Sequence, residues 1–329
     1  MKHIEYLSPT SIALFNEGVD KFYLQYLTED RPPKMPQNYP MAIGSAFDAY
    51  AKSYLHGKLF GKGHSDSNRF GLDAIFEAQV EPQNRDWARV QGKHAFEKYQ
   101  ASGALINLLT ELQDAHGEPR FEFDLRGALN GYRDGIVRSV GDVILLGKPD
   151  LAFINRDGTH VVFDWKVSGW CSDYGVSPMQ GYVSLRDEYG YNAGYHKKCV
   201  PAELGSLTIN NMLLLNELDR KWAAQLSIYS WLLGEPIGGD FVVAIDQMVC
   251  KPTGGVPSIR VAGHRLRING EFQKSLFDQI ESIWEIVHSD HIFRDMSLVD
   301  SQRRCQILDE RNASMYGPGS DPNFREFGH

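Results

Sequence analysis

The stretch GKPDLAFINRDGTHVVFDWKVSGW, Gly147–Trp170, decides how this chain is read. Leu151-Ala152-Phe153-Ile154 and Val161-Val162-Phe163 are short apolar runs separated by Arg156-Asp157-Gly158, the composition of a hairpin turn. Asp150 opens the first strand; Asp164 and Lys166 end the second, with Trp165 between them. Residues two apart on a strand share a face, so Asp164 and Lys166 point the same way and the hairpin brings Asp150 alongside. Two carboxylates and one ammonium then converge at the end of a buried sheet. Burying unpaired carboxylates is costly, and two close ones cannot both stay ionised without a cation. A hard divalent ion such as Mg²⁺ or Mn²⁺ satisfies them, because it prefers oxygen ligands and keeps several waters. On these three residues alone, ion pairs at the ends of a surface hairpin account for the pattern equally well.

Outward from the hairpin, the N-terminal side is helical. Ser8 caps a helix to about Leu27, with Pro9 at its first position and Ile12, Phe15, Val19, Phe22 and Tyr23 at helical spacing. Arg31–Pro40 is a proline-broken linker. Further helices are predicted over Met41–Leu55, Asp86–Tyr99 and Ala101–His116, with a Gly/His/Ser-rich loop at 57–71. Phe121, Phe123 and Leu125 alternate with polar residues as a strand does, and Val143–Leu146 continues a series of hairpin-linked strands. Residues 167–215 read as an insertion. A helix follows at Leu218–Leu233, then a strand pair (Phe241–Val249 and Ser258–Ile268) and an amphipathic helix, Glu271–His288. The tail after Met315 reads as loosely ordered. The expected class is α+β or α/β: a compact mixed central sheet flanked by helices. The parts expected are a helical segment 1–118, a sheet-bearing core 119–235 and a C-terminal segment 236–329, integrated into one domain.

Composition narrows the functions. The 329 residues carry 34 Lys+Arg against 42 Asp+Glu, a net charge of −8 and a pI near 5.8, so there is no general basic coat for nucleic acid. No apolar run reaches the length of a membrane span, and MKHIEYLSPTS has no apolar core of a secretory signal. Cys171, Cys199, Cys250 and Cys305 show no CxxC pairing, which points to free thiols in a reducing, cytoplasmic compartment. Neither HExxH nor HxH occurs, against a zinc hydrolase, and Thr253-Gly254-Gly255-Val256 is a turn, not a phosphate-binding loop. Lys197-Lys198, among Tyr189, Tyr191 and Tyr195, suits single-stranded nucleic acid, where bases stack on rings and phosphates meet cations. Arg265 and Arg267 alternate on a predicted strand and are further candidates for DNA phosphates; an exposed loop and a solvated strand face are the plainer readings of these two pairs.

Pro149-Asp150 followed by Asp164-Trp165-Lys166 resembles the signature of the PD-(D/E)XK nuclease superfamily. Three other islands fit its RecB-like, lambda-exonuclease-like branch. Gln225 and Tyr229, one helical turn apart, match Gln-x-x-x-Tyr. Gly44-Ser45-Ala46-Phe47-Asp48 stands where that branch carries Gly-x-x-x-His, with Asp48 replacing the histidine. Ser8–Leu27 is similar to the N-terminal helix of RecB-type nucleases, with Asn16 near the place of a cysteine. The resemblance implies a restriction-endonuclease-like core and a metal-dependent DNA nuclease, more in keeping with an exonuclease that processes single-stranded or duplex DNA ends. It implies Mg²⁺ or Mn²⁺ held by Asp48, Asp150, Asp164 and the main-chain carbonyl of Trp165, with Lys166, Gln225 and Tyr229 completing the catalytic set. Glu122 is a candidate for the acid that some relatives carry on the first core strand; a plain cross-strand ion pair accounts for it equally well. The cysteine pattern of iron–sulfur relatives is missing, so no cluster is expected. A recombination or single-strand-binding protein is the partner implied, in a bacterial or phage-infected cell. Two other readings are a degenerate nuclease scaffold that only binds DNA or protein, and a glycoside hydrolase using Asp150 and Asp164, which leaves Lys166 without a role.

Overall fold

The computed structural model describes residues 2–28, 35–121, 136–168, 199–204, 213–215, 217–251, 258–289, 293 and 309–310. Ser8 caps the first helix as its sequence suggests: its hydroxyl accepts the Ser11 N–H at 3.2 Å, and the Ser11 hydroxyl accepts the Ser8 N–H at 2.7 Å. The helix is shorter than its periodicity predicts. α1 (Pro9–Glu17) stops at Gly18, and a short α2 (Val19–Phe22) and a π-helical turn (Tyr23–Leu27) follow. α3 (Tyr39–Leu59) begins inside the expected linker, because the Asn38 side chain accepts the Met41 N–H at 3.0 Å and Pro40 occupies the first turn, where no N–H is needed. α4 (Leu72–Gln79), absent from the sequence expectation, buries Ile75 and Phe76. α5 (Arg85–Ala101) and α6 (Ala104–Gln113) are separated by Gly103, whose φ of 86° suits glycine.

The strands are β1 (Arg120–Phe121), β2 (Ile136–Val140), β3 (Val143–Gly147), β4 (Leu151–Ile154), β5 (His160–Ser168), β6 (Cys199–Leu204), β7 (Leu213–Leu215) and β8 (Glu217–Asp219). α7 (Arg220–Leu232), β9 (Val242–Lys251), β10 (Ser258–Ile268) and α8 (Gly270–His288) complete the chain order. Among the described residues, eight strands form one mixed sheet in the order β1-β4-β5-β9-β10-β6-β8, with β7 paired to β10. The expected β4–β5 hairpin is there, antiparallel, with Leu151 opposite Phe163. β5 runs parallel to β9, which sets Asp164 opposite Ile245 and Trp165 opposite Asp246.

One expectation is corrected. β3 does not continue the hairpin series; it pairs with β2 in a separate two-stranded sheet. Within the span read as an insertion, β6 and β7 both pair with β10, and β5 extends through Ser168. Glu122, the alternation at 123–125 and the tail after Met315 lie outside the described residues.

α3 to α6 cover one face of the sheet, where Phe47, Tyr99 and Leu108 share a core with Phe163, Trp165, Val242 and Ala244. Alternation along β5 sends Asp164 and Lys166 to the opposite face, where Lys166 meets Gln225 of α7. The chain divides into two compact units, Gln37–Asp278 and Met1–Pro36 with Gln279–His329. The expected boundaries near 118 and 235 fall inside the first unit, whose sheet and covering helices draw on residues from both sides of each. In the second unit Phe22 packs against Phe15, Tyr26 and Phe293, and the Lys2 N–H donates to the Leu27 carbonyl at 2.7 Å. No described helix is long and apolar enough to cross a membrane.

Candidate active site

A cavity of about 330 Å³ opens at the end of β5, bordered by α3 and α7 and by the turn between β3 and β4. Asp150 sits in that turn, and its Oδ2 accepts the Trp165 N–H at 3.0 Å, which clips the turn to β5. Asp164 comes from β5 and is nearly closed to solvent, 4% exposed. The two carboxyl groups border the same cavity and act on each other electrostatically. Burial and the charge of Asp150 hold Asp164 well above the usual carboxylate range, against the pull of Lys166. Burial works the same way on Asp150, but the Lys52 ammonium, the neighbouring Asp164, the Trp165 N–H and Lys166 together hold it below the usual carboxylate range. Two neighbouring carboxyl groups, one of them driven toward its neutral form by burial and by the other's charge, make a conflict that a divalent cation relieves. These hard oxygen donors fit Mg²⁺ or Mn²⁺.

From the carboxylates a line of polar contacts crosses to α7. Lys166 is ion-paired with Asp164 and donates to the Gln225 side-chain oxygen at 3.0 Å. The Gln225 amide donates in turn to the Tyr229 hydroxyl at 2.8 Å. The one-turn spacing read from the sequence therefore does put both α7 side chains on the face that meets Lys166. The Lys148 backbone also bonds to the Tyr229 hydroxyl, and burial, then the charge of Asp164, push that phenol well above its usual range. Tyr229 stays a neutral hydroxyl that can donate.

Asp48 lines the same cavity, but the three-carboxylate cluster expected from the sequence does not form. Among the described residues no three acidic, histidine or cysteine side chains gather closely enough to hold one ion. Asp48 Oδ2 instead accepts from Lys52 Nζ at 2.9 Å and from Gln79 Nε2 at 2.9 Å. Lys52 also reaches Asp150 Oδ1 at 3.0 Å, and its side chain is completely buried. Sequence reasoning passed over Lys52 and Gln79. The available signal was the one-turn spacing of Asp48 and Lys52 on a helix rich in alanine, which does not distinguish an exposed pair from a buried one.

Of the candidate DNA contacts, Arg265 is corrected. It is 1% exposed; its guanidinium donates to Asp246 Oδ1 at 2.6 Å and to the Ile245 carbonyl at 3.0 Å, and it lies over the Phe163 ring. Its strand alternation turns it into the face covered by α5 and α6, so it cannot meet a phosphate there. Asp246 is closed from the other side by the Tyr99 hydroxyl at 2.5 Å, and Tyr99 accepts the Trp165 indole N–H at 3.3 Å. This buried network anchors the residue between Asp164 and Lys166. Arg267 is partly exposed and paired with Asp240 at 2.5 Å. Lys197 and Lys198 lie outside the described residues.

A family model of the PD-(D/E)XK nuclease superfamily matches residues 6–172. No curated protein matches the chain. The match takes in α3, the β4–β5 hairpin and all of Asp150, Asp164 and Lys166, the acids and the lysine that the fold has brought to one cavity. The chain thus belongs to the PD-(D/E)XK nuclease superfamily, whose members are generally nucleases that cleave phosphodiester bonds with divalent ions, commonly Mg²⁺ or Mn²⁺.

Proposed function

We propose that this protein is a Mg²⁺- or Mn²⁺-dependent deoxyribonuclease, acting as an exonuclease on single-stranded or duplex DNA ends. The observation that carries the reading is the unbroken line from Asp164 through Lys166 and Gln225 to Tyr229, beside Asp150 in one cavity. Asp150, Asp164 and the Trp165 main-chain carbonyl would hold the ion. When bound, it lowers the pKa of a water and offsets charge on the scissile phosphate. Lys166 places its ammonium where negative charge develops in the transition state. Gln225 fixes the direction of that ammonium, and Tyr229 keeps its proton to donate to a phosphate oxygen. Arg267, Lys197 and Lys198 serve as contacts to the DNA backbone.

The preference for an exonuclease rests on the Gln-x-x-x-Tyr helix and its similarity to the RecB-like branch. A role in recombination inside a bacterial or phage-infected cell, beside a single-strand-binding partner protein, follows from the same similarity. The test is digestion of end-labelled linear, end-blocked and circular DNA with Mn²⁺, with Mg²⁺ and with chelator. Loss of linear DNA alone, dependent on metal and on Asp164, is the expected result. Cleavage of circles makes it an endonuclease; binding without cleavage in either metal makes it a DNA-binding module on a nuclease scaffold.

A further inference from the structure

We infer that Lys52 is a built-in cation of the active site, standing where a second divalent ion would bind, so that this chain works with a single metal ion. The inference rests on the metal-dependent reading above and goes beyond it by fixing how many ions the site takes. Lys52 Nζ lies 2.9 Å from Asp48 Oδ2 and 3.0 Å from Asp150 Oδ1, with no exposure of its side chain. An ammonium taken out of water at that cost persists only when carboxylates surround it. Two-metal sites hold their ions about 3.5–4 Å apart between bridging and flanking carboxylates. Here the space between the flanking acid, Asp48, and the shared acid, Asp150, is filled by nitrogen. Asp48 Oδ2 is further committed, because Gln79 Nε2 donates to the same oxygen at 2.9 Å.

The charge balance agrees. Asp48, Asp150 and Asp164, when ionised, against Lys52 and Lys166 leave one net negative charge. One divalent ion turns it into one positive charge, which the single negative charge of a scissile phosphodiester neutralises. A second ion would leave two positive charges uncompensated beside the fully buried Lys52 ammonium, which is costly.

The placement is also rigid. Asp48 and Lys52 are one turn apart on the 21-residue α3. That helix is seated tightly on α5: a Cβ at Gly92 would overlap the Ala46 side chain and stand 3.0 Å from its carbonyl carbon. Lys52 therefore cannot swing aside by a shift of the helix. It acts through Asp48 and Asp150 and touches no substrate, which makes it a positioning residue.

The experiment counts bound Mn²⁺ per chain by electron paramagnetic resonance of the free ion, on the full-length wild type, Lys52→Arg and Lys52→Met. The expected result is one ion for wild type and Lys52→Arg, and two for Lys52→Met, whose vacated space lies between two carboxylates. Two ions in wild type overturn the inference while leaving the nuclease reading intact. One ion in a folded Lys52→Met variant also overturns it, since Lys52 would then not be what excludes the second. No ion in wild type overturns the metal-dependent reading itself and the inference with it. Should Lys52→Met fail to fold, the wild-type count still decides.

Discussion

Lys166 donates to the Gln225 side-chain oxygen at 3.0 Å, and the nitrogen of the same amide donates to Tyr229 at 2.8 Å. Only one orientation of the amide serves both neighbours. An ammonium has no acceptor, so it takes the oxygen and leaves the nitrogen for the phenol. Gln225 thereby fixes where the Lys166 charge points. Gln225→Met keeps the length of the side chain and removes both bonds. Single-turnover cleavage should slow by about 10–100-fold, roughly 1.4–2.7 kcal/mol of barrier. Mn²⁺ affinity should stay unchanged, because the residue supplies no ligand. Lys166→Ala should lose far more. A Gln225→Met enzyme cutting at the wild-type rate would make the amide a packing element only.

The backbone at Gly147 is pressed against α7. A Cβ there would stand 2.5 Å from Leu232 Cδ1 and 2.6 Å from Tyr229 Cδ1. Glycine is needed at this strand end for close approach, not for a turn. Gly147→Ala should push Tyr229 out of line with Gln225 and cost about 1–3 kcal/mol through overpacking. Thermal unfolding and single-turnover rate measured together check this: both should fall. A stability loss with a wild-type rate would show that the exact seat of Tyr229 does not matter.

One carboxylate oxygen of Glu111, on α6, is buried without a hydrogen-bond partner among the described residues. Burial raises its pKa from 4.5 to about 7, against Arg265 and with Asp246. Between those two values the folded chain keeps a proton that the unfolded chain has already lost. Stability from this group is therefore present at acid pH and falls as pH rises through the window, remaining low above it. Glu111→Gln removes the penalty. The variant should gain about 1–2 kcal/mol over wild type at pH 8, a discount on the full shift for residual exposure, and almost nothing at pH 4. Urea unfolding of both proteins at the two pH values measures the difference; equal gains at both would refute the titration.

Asp150, Asp164 and Lys166 were legible because a short hairpin with a period of two leaves little freedom. Gln225 and Tyr229 were legible for the matching reason on a helix. What stayed hidden depends on contacts far apart in sequence. Lys52 reads as a solvated partner of Asp48 until the turn carrying Asp150 closes over it, 98 residues later. Alternation put Arg265 and Arg267 on a strand but could not say which face α5 and α6 cover. β3 has the apolar run of a core strand, yet it pairs with β2 and leaves β4 to β1. α4 was lost because eight residues are too few for its periodicity to stand out from the glycine-rich stretch before it.

Arg265 gives the sharpest separation between a buried role and a DNA-binding one. Its charge is matched by Asp246, itself fully buried and bonded to Tyr99. Arg265→Leu leaves that carboxylate without its cation and should cost about 3–5 kcal/mol. Replacing the pair together, Arg265→Leu with Asp246→Leu, should recover much of that loss, since no uncompensated charge then remains; the Tyr99 hydroxyl is the group left to satisfy. Arg267→Ala, a partly exposed pair with Asp240, should change stability by no more than about 1 kcal/mol. DNA binding should show the reverse order. If Arg267 meets one phosphate, its loss lowers the slope of log affinity against log salt by about one, whereas the folded double variant at Arg265 keeps the wild-type slope. A reduced slope in that double variant would place Arg265 on the DNA after all and would require β10 to turn its covered face outward.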